Sequence, residues 1–230
     1  MKLPKGLFMT GTDTDVGKTW STVALMRALQ RQGHIVAGMK PVAAGCIWTE
    51  AGLRNQDALL LQQHASRTFD YDLINPYAFE AAVSPHSARG DVEVSLGRIV
   101  RAHELLKSQV DVLLLEGAGG WYSPLSQTFD NAQLAMALQL PVIIVVGMRL
   151  GCINHALLTW RAVRSSALPC AGWIAVTLDA DMPAFGDNLA FLQASIDAPL
   201  LGVLPHLLTA DFDALSNELC VLDMTQNTST

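Results

Sequence analysis

Several features are missing from this 230-residue chain, and each absence excludes a class of protein. Only 16% of the residues are charged, no run of like charges occurs, and the formal net charge is -6. Nucleic-acid binding rests on clustered lysine and arginine, so no nucleic-acid partner is expected. The four cysteines, Cys46, Cys152, Cys170 and Cys220, form no Cys-x-x-Cys pair, and no histidines cluster at metal-ligand spacing. That pattern fits reduced thiols in a cytoplasmic protein. The longest apolar stretch, Pro141 to Met148, is too short to cross a bilayer. Met1 to Lys5 lead into no signal-type apolar segment, so no membrane partner is expected. No repeat, linker or low-complexity segment stands out.

What the chain has is apolar substance. Half of its residues are hydrophobic, which excludes disorder as the main state and allows a sizeable core. The expectation is one domain over residues 1–230, with 225–230 a frayed polar tail. Continuous apolar runs occur at Leu7 to Thr10, Val36 to Met39, Val110 to Leu115, Pro141 to Val146, Ala171 to Val176 and Pro199 to Val203. They do not alternate with polar residues, so both faces of each strand are buried, as in a parallel sheet covered by helices. Helical spacing fills Thr19 to Gln32, Ile99 to Gln109 and Ile153 to Ser165. The fold class expected is therefore α/β, a doubly wound, mostly parallel sheet.

The strongest chemical signal is Gly11-Thr12-Asp13-Thr14-Asp15-Val16-Gly17-Lys18-Thr19, set between a strand and a helix. Backbone N–H groups in such a loop converge on phosphate oxygens, and the helix N-terminus adds positive potential. Lys18 would reach the β- and γ-phosphates and Thr19 would ligate Mg²⁺. The loop is irregular, with five residues between Gly11 and Gly17 where four are usual. It predicts a P-loop NTPase-like protein but does not choose a reaction.

Other residues narrow the choice. Lys40 ends the second apolar run, at the carboxyl end of a strand, beyond which ligands sit in such sheets, although a surface lysine fits that position equally. Two cations beside a transferring phosphoryl group would stabilise its charge. Glu116 ends the third run and precedes Gly117-Ala118-Gly119-Gly120. A carboxylate there is the expected second Mg²⁺ ligand, the alternative being a simple turn. Asp57 on its own reads as a carboxylate in the first turn of a helix. Cys152 and His155 are not a nucleophile and base, since no orienting acid lies near them in the sequence. The helix start at Gly151 to Asn154 suits a carboxylate ligand better.

Taken together, these segments resemble the dethiobiotin synthetases. The matching stretches are Gly11 to Thr19, Gly38 to Ala43, Glu50 to Asp57, Asn75 to Tyr77, Ser84 to His86, Glu116 to Trp121, Gly151 to Thr159, Ala171 to Trp173, and Leu201-Gly202 with Pro205. The resemblance implies a reaction of 7,8-diaminononanoate, CO₂ and ATP through a carbamate and a carbamic-phosphoric anhydride, in a homodimer with substrate at the interface. It implies Lys18 and Lys40 as the catalytic cations and Thr19, Asp57 and Glu116 as Mg²⁺ ligands. ATP would also meet Thr14, Asp15, Val16, Gly17, Gly117, Ala118 and Gly119, with Val176, Thr177, Pro205, His206 and Leu207 around the base. The substrate would meet Thr14, Lys40, Ala44 and Ser84, with Gly151, Cys152 and Asn154 reaching it across the dimer interface.

Three departures from the family pattern stand out: Ala44 where relatives carry serine, Val176 and Thr177 where an asparagine reads the adenine edge, and an unfamiliar segment at 179–188. The competing readings are a nucleotide-dependent switch of the partition-ATPase kind, a non-catalytic homologue, and an amide-forming synthetase acting on another substrate. Switches of that kind usually carry a second lysine where this chain has Thr12.

Overall fold

The computed structural model describes residues 3–221, so the expected tail at 225–230 lies outside the described residues. Six strands form the central sheet: β1 (Gly6–Gly11), β2 (Val36–Met39), β7 (Val112–Gly120), β8 (Val142–Met148), β9 (Cys170–Thr177) and β10 (Leu200–Leu204). Their order is β10-β9-β8-β1-β7-β2, and every neighbouring pair is parallel. Two small sheets stand apart from it. The parallel pair β3 (Val42–Ala43) and β6 (Tyr77–Ala78) forms one, and the antiparallel hairpin β4 (Ile47–Thr49) and β5 (Gly52–Arg54) forms the other.

The helices are α1 (Lys18–Arg31), α2 (Gln56–Gln63), α3 (Tyr71–Ile74), α4 (Pro85–Ala88), α5 (Leu96–Lys107), α6 (Asn131–Leu138), α7 (Cys152–Ser165), α8 (Phe185–Ser195) and α9 (Phe212–Asn217). Among them α1 packs on β1, β2 and β7, α5 and α6 on β7, and α7 on β8. Every residue of β1, β2 and β8 is buried, which is why these strands read as unbroken apolar runs. Each fully buried Val, Leu or Ile contributes roughly 1.5–3 kcal/mol relative to exposure.

One boundary differs from expectation in a way that affects the site. The third apolar run predicts a strand ending at Glu116, but β7 continues to Gly120. Gly11 of β1 pairs with Gly120 after a register shift beyond Met9. Asn131 holds the extension in place: its amide donates to the carbonyls of Ala118 and Gly120 at 2.8 Å. Asp130 caps α6 through a reciprocal capping box with Gln133. An extended Gly-Ala-Gly-Gly segment held by a side-chain amide is not visible in strand periodicity.

Candidate active site

The phosphate loop joins β1 to α1, and two residues in it have positive φ: Asp15 at 55° and Gly17 at 84°. Left-handed backbone at both positions turns the chain back toward the helix. A side chain at Gly17 would be strained and crowded, because a Cβ there would lie 2.9 Å from Val176 Cγ1. Thr12 N–H donates to Val145 O at 2.9 Å, and Arg149 forms an ion pair with Asp13 at 2.6 Å, so the loop is tied to β8 and the segment after it. Val16 is buried in the core and supports the loop from beneath.

Beyond the loop, charged groups converge. Lys40 Nζ lies 2.6 Å from Glu116 Oε1 and 2.6 Å from Asp57 Oδ2. Thr19 Oγ1 donates to Glu116 Oε1 at 2.8 Å. Lys18 Nζ donates to Asp13 O at 2.8 Å, curled over its own loop. Lys40 is therefore not the solvated surface lysine that its position alone allowed. Asp57 is where the helix-start reading put it, in the first turn of α2, and it also faces the phosphate loop. Asn55 fixes that turn by accepting hydrogen bonds from Asp57 N and Ala58 N.

The electrostatics follow from burial and neighbours. Burial and the Lys40 charge together lower the Lys18 ammonium to about 8. Burial also disfavours the Lys40 ammonium, but the charges and hydrogen bonds of Glu116 and Asp57 outweigh it, and its pKa ends well above the usual lysine value. Burial pushes the Asp57 carboxyl upward; Lys40 and Thr19 more than reverse this, so it lies below the ordinary range. Lys40 thus stays charged, and both carboxylates have a cation to face.

Two adjoining clefts share Asp15, Gly17 and Trp20. The first, about 230 Å³, is lined by Thr14, Lys18, Thr19, Lys40, Asp57, Glu116 and Gly119. The second, about 240 Å³, is walled by Val176, Thr177, Leu178, Leu204, Pro205, His206 and Leu207. One is polar, with two lysines among three carboxylates, and the other is mostly apolar, so the pair suits a metal-bound phosphorylated group joined to a flat base. Two carboxylates and a hydroxyl are oxygen donors of the kind Mg²⁺ takes alongside phosphate oxygens and water. Among the described residues no cluster of three His, Cys, Asp or Glu exists. A larger cavity, about 530 Å³, lies between Arg54, Tyr71 and Arg98, away from the phosphate loop.

The remaining sequence candidates lie outside these clefts. Gly117 and Ala118 line neither and form part of the β7 extension. Ala44 offers its carbonyl to Asn55 Nδ2 at 3.3 Å. Ser84, exposed at the start of α4, bonds His86 Nδ1 through Oγ at 2.9 Å. Gly151 caps α7 in the left-handed region. The Cys152 side chain is buried and its N–H donates to Arg149 O; Asn154 is exposed. Residues that sequence reasoning missed are Trp20, which lines both clefts, and Asn55, Thr22 and Asn75. Asn75 Nδ2 donates to Lys40 O at 2.6 Å. The Asn-Pro pair at 75–76 was a visible signal for it; nothing in the sequence marked Trp20 or Thr22.

A phosphate loop on a parallel α/β sheet, with a buried carboxylate on the neighbouring strand, defines a P-loop NTPase-like protein. Comparison with solved structures agrees at the level of fold: the MinD cell division protein of Aquifex aeolicus superposes with a TM-score of 0.57 at 18% identity, over 94% of this chain and 87% of that one. A family model described as an AAA domain matches residues 5–212. The ATP-dependent dethiobiotin synthetase BioD of Cellvibrio japonicus is 50% identical over 217 residues, 94% of this chain and 95% of its own length. The protein of the same name from Xanthomonas campestris pv. campestris is 44% identical over 95% of this chain and 98% of its own. The chain belongs to the dethiobiotin synthetase family.

Proposed function

We propose that the chain closes the cyclic urea of dethiobiotin from 7,8-diaminononanoate, CO₂ and ATP, releasing ADP and phosphate. The observation that carries this is the Lys40 ammonium, held on two carboxylates directly opposite the phosphate loop. One substrate amine adds to CO₂ and loses a proton, giving a carbamate. The carbamate oxygen attacks the γ-phosphorus and ADP leaves. The second amine then attacks the carbamoyl carbon, the carbon–oxygen bond to phosphate breaks, and the ring closes.

The side chains act by position and charge. Lys18 and the loop amides hold the phosphates. Lys40 neutralises the carbamate and the migrating phosphoryl group. Thr19, Asp57 and Glu116 would hold Mg²⁺, which would supply positive charge against that of the phosphates. Thr14, Asp15, Gly17 and Gly119 border the phosphates, and Val176, Thr177, Pro205, His206 and Leu207 border the base. Thr14, Ala44 and Ser84 serve the diamine side.

The chain works as a homodimer in the cytoplasm, its described residues forming one domain, and Gly151, Cys152 and Asn154 of each protomer meet the substrate held by the other. Leu150 and Leu158, just before and on α7, are 94% and 58% exposed, and so available to such an interface. No described helix is long and apolar enough to cross a membrane. The test is incorporation of labelled bicarbonate into an acid-stable product by purified protein with Mg²⁺ and ATP. Label that requires the diamine supports the reading. Folded, nucleotide-binding protein that makes no labelled product overturns it.

A further inference from the structure

Glu116 is fully buried, and its two oxygens are held by different donors. Oε1 accepts from Thr19 Oγ1 and Lys40 Nζ. Oε2 accepts from Thr22 Oγ1 at 2.9 Å, and no other donor to it occurs among the described residues. Thr22 lies one turn into α1, is itself fully buried, and lines neither cleft, so it cannot touch a ligand. Its hydroxyl has one proton and two acceptors in range, Glu116 Oε2 and Lys18 O, the latter at 2.8 Å. Lys18 O, as the first carbonyl of α1, already receives the Thr22 N–H. The carboxylate oxygen has no such alternative, and a buried charged acceptor left without a donor is the costlier outcome. The proton therefore goes to Glu116.

We infer that Thr22 is a positioning residue for the reaction: its hydroxyl fixes the rotation of the Glu116 carboxylate, and through it the places of Thr19 and Lys40. This rests on the proposed function, in which Glu116 and Thr19 hold the metal and Lys40 faces the reacting group. Without the hydroxyl, Oε2 has no donor except by turning the carboxylate toward Lys40. That turn would draw Lys40 away from Asp57 and withdraw Glu116 from the metal side.

The test compares Thr22→Val, which keeps the shape and loses the hydroxyl, with Thr22→Ser, which keeps the hydroxyl and loses a methyl. Mn²⁺ affinity is measured by electron paramagnetic resonance with saturating ADP, beside metal-free ADP affinity, kcat and KM. Thr22→Val is expected to weaken Mn²⁺ binding about tenfold, the scale of one hydrogen bond to a charged group, and to lower kcat. Metal-free ADP affinity and the KM for ATP should stay close to wild type. Thr22→Ser should match wild type in all four. If Thr22→Val does not fold, Thr22→Ala is read in the same way. Wild-type Mn²⁺ affinity and kcat in the hydroxyl-free variant would overturn the inference, as would a serine variant equally impaired. Wild-type protein that shows no metal-assisted ADP binding would sink the proposed function first.

Discussion

Lys40 Nζ and Glu116 Oε1 stand 2.6 Å apart at the floor of the phosphate-loop cleft, with side chains 7% and 0% exposed. A buried pair of this kind resists removal of one member, because the other is left charged and unpaired. Lys40→Ala should therefore act twice. Turnover should fall on the order of 10²–10³-fold, as when one preorganised charge-stabilising group is lost, while nucleotide binding in the loop persists. Stability should fall by about 3–5 kcal/mol, the scale for breaking a buried ion pair. Adding Glu116→Gln should recover much of the stability and none of the turnover. Thermal melts and label incorporation measure the two effects separately, and wild-type kcat in Lys40→Ala would defeat the role assigned to Lys40.

Much of this arrangement was legible beforehand because the sheet is buried on both faces. Pro141 to Val146 reads as a strand since no polar residue interrupts it, and β8 covers most of that run; the phosphate loop is a local pattern of glycines and Lys-Thr. Glu116 reads from the sequence as the end of a strand, whereas in the structure it lines the phosphate-loop cleft and β7 runs past it to Gly120. The extension to Gly120 depends on Asn131, eleven residues further along, and local periodicity carries no record of such a tertiary hydrogen bond. Asp57 was equivocal for the same reason: its pairing with Lys40 joins α2 to the end of β2 and exists only in three dimensions. Small elements such as β3 with β6 and the β4–β5 hairpin are two or three residues long, too short for any period to show.

Gly17 is the position where the loop's shape is most exposed to change. Its φ of 84° and the 2.9 Å approach of Val176 Cγ1 to a built Cβ combine backbone strain with a clash. Gly17→Ala should lower stability by roughly 1–3 kcal/mol through strain at a left-handed position. It should also weaken nucleotide binding, since the N–H groups that follow would no longer converge. Trimming the obstacle tests the cause: Val176→Ala in the Gly17→Ala background should relieve the clash and leave the strain. Equal destabilisation with and without Val176→Ala would show that packing contributes nothing there.

His103 sets a pH dependence distant from the chemistry. Its ring is fully buried on α5, Nε2 has no hydrogen-bond partner among the described residues, and Nδ1 meets Glu104 Oε1 at 3.1 Å. Burial lowers its pKa, with Glu104 opposing and Lys107 reinforcing the shift. A histidine whose folded pKa lies below its unfolded value near 6.5 takes up a proton more readily when unfolded. Stability should therefore be full above that pH and decline as pH falls below it. His64, lowered first by burial and then by Arg27, acts with the same sign. Melting temperatures between neutral and mildly acid pH should drop less in His103→Leu than in wild type; parallel slopes would remove His103 from the account.

The base-side cleft leads to the last expectation. Its wall contains Val176, Leu178, Leu204, Pro205 and Leu207, and among the described residues no side-chain amide lines it. An amide can offer a base a donor and an acceptor together, whereas valine offers neither, so ATP should be weakly distinguished from CTP. Val176 sits on β9 opposite Leu204, close to the loop glycine, where an asparagine of similar size can stand. Val176→Asn should raise the ratio of kcat/KM for ATP over CTP. One or two hydrogen bonds at about 1 kcal/mol each correspond to roughly a five- to thirty-fold change. The measurement is label incorporation with each nucleotide in parallel. A larger ratio with unchanged kcat for ATP locates the gain in base recognition. An unchanged ratio would mean that backbone groups near Thr177 and Pro205 select the base and that Val176 merely fills space beneath Gly17.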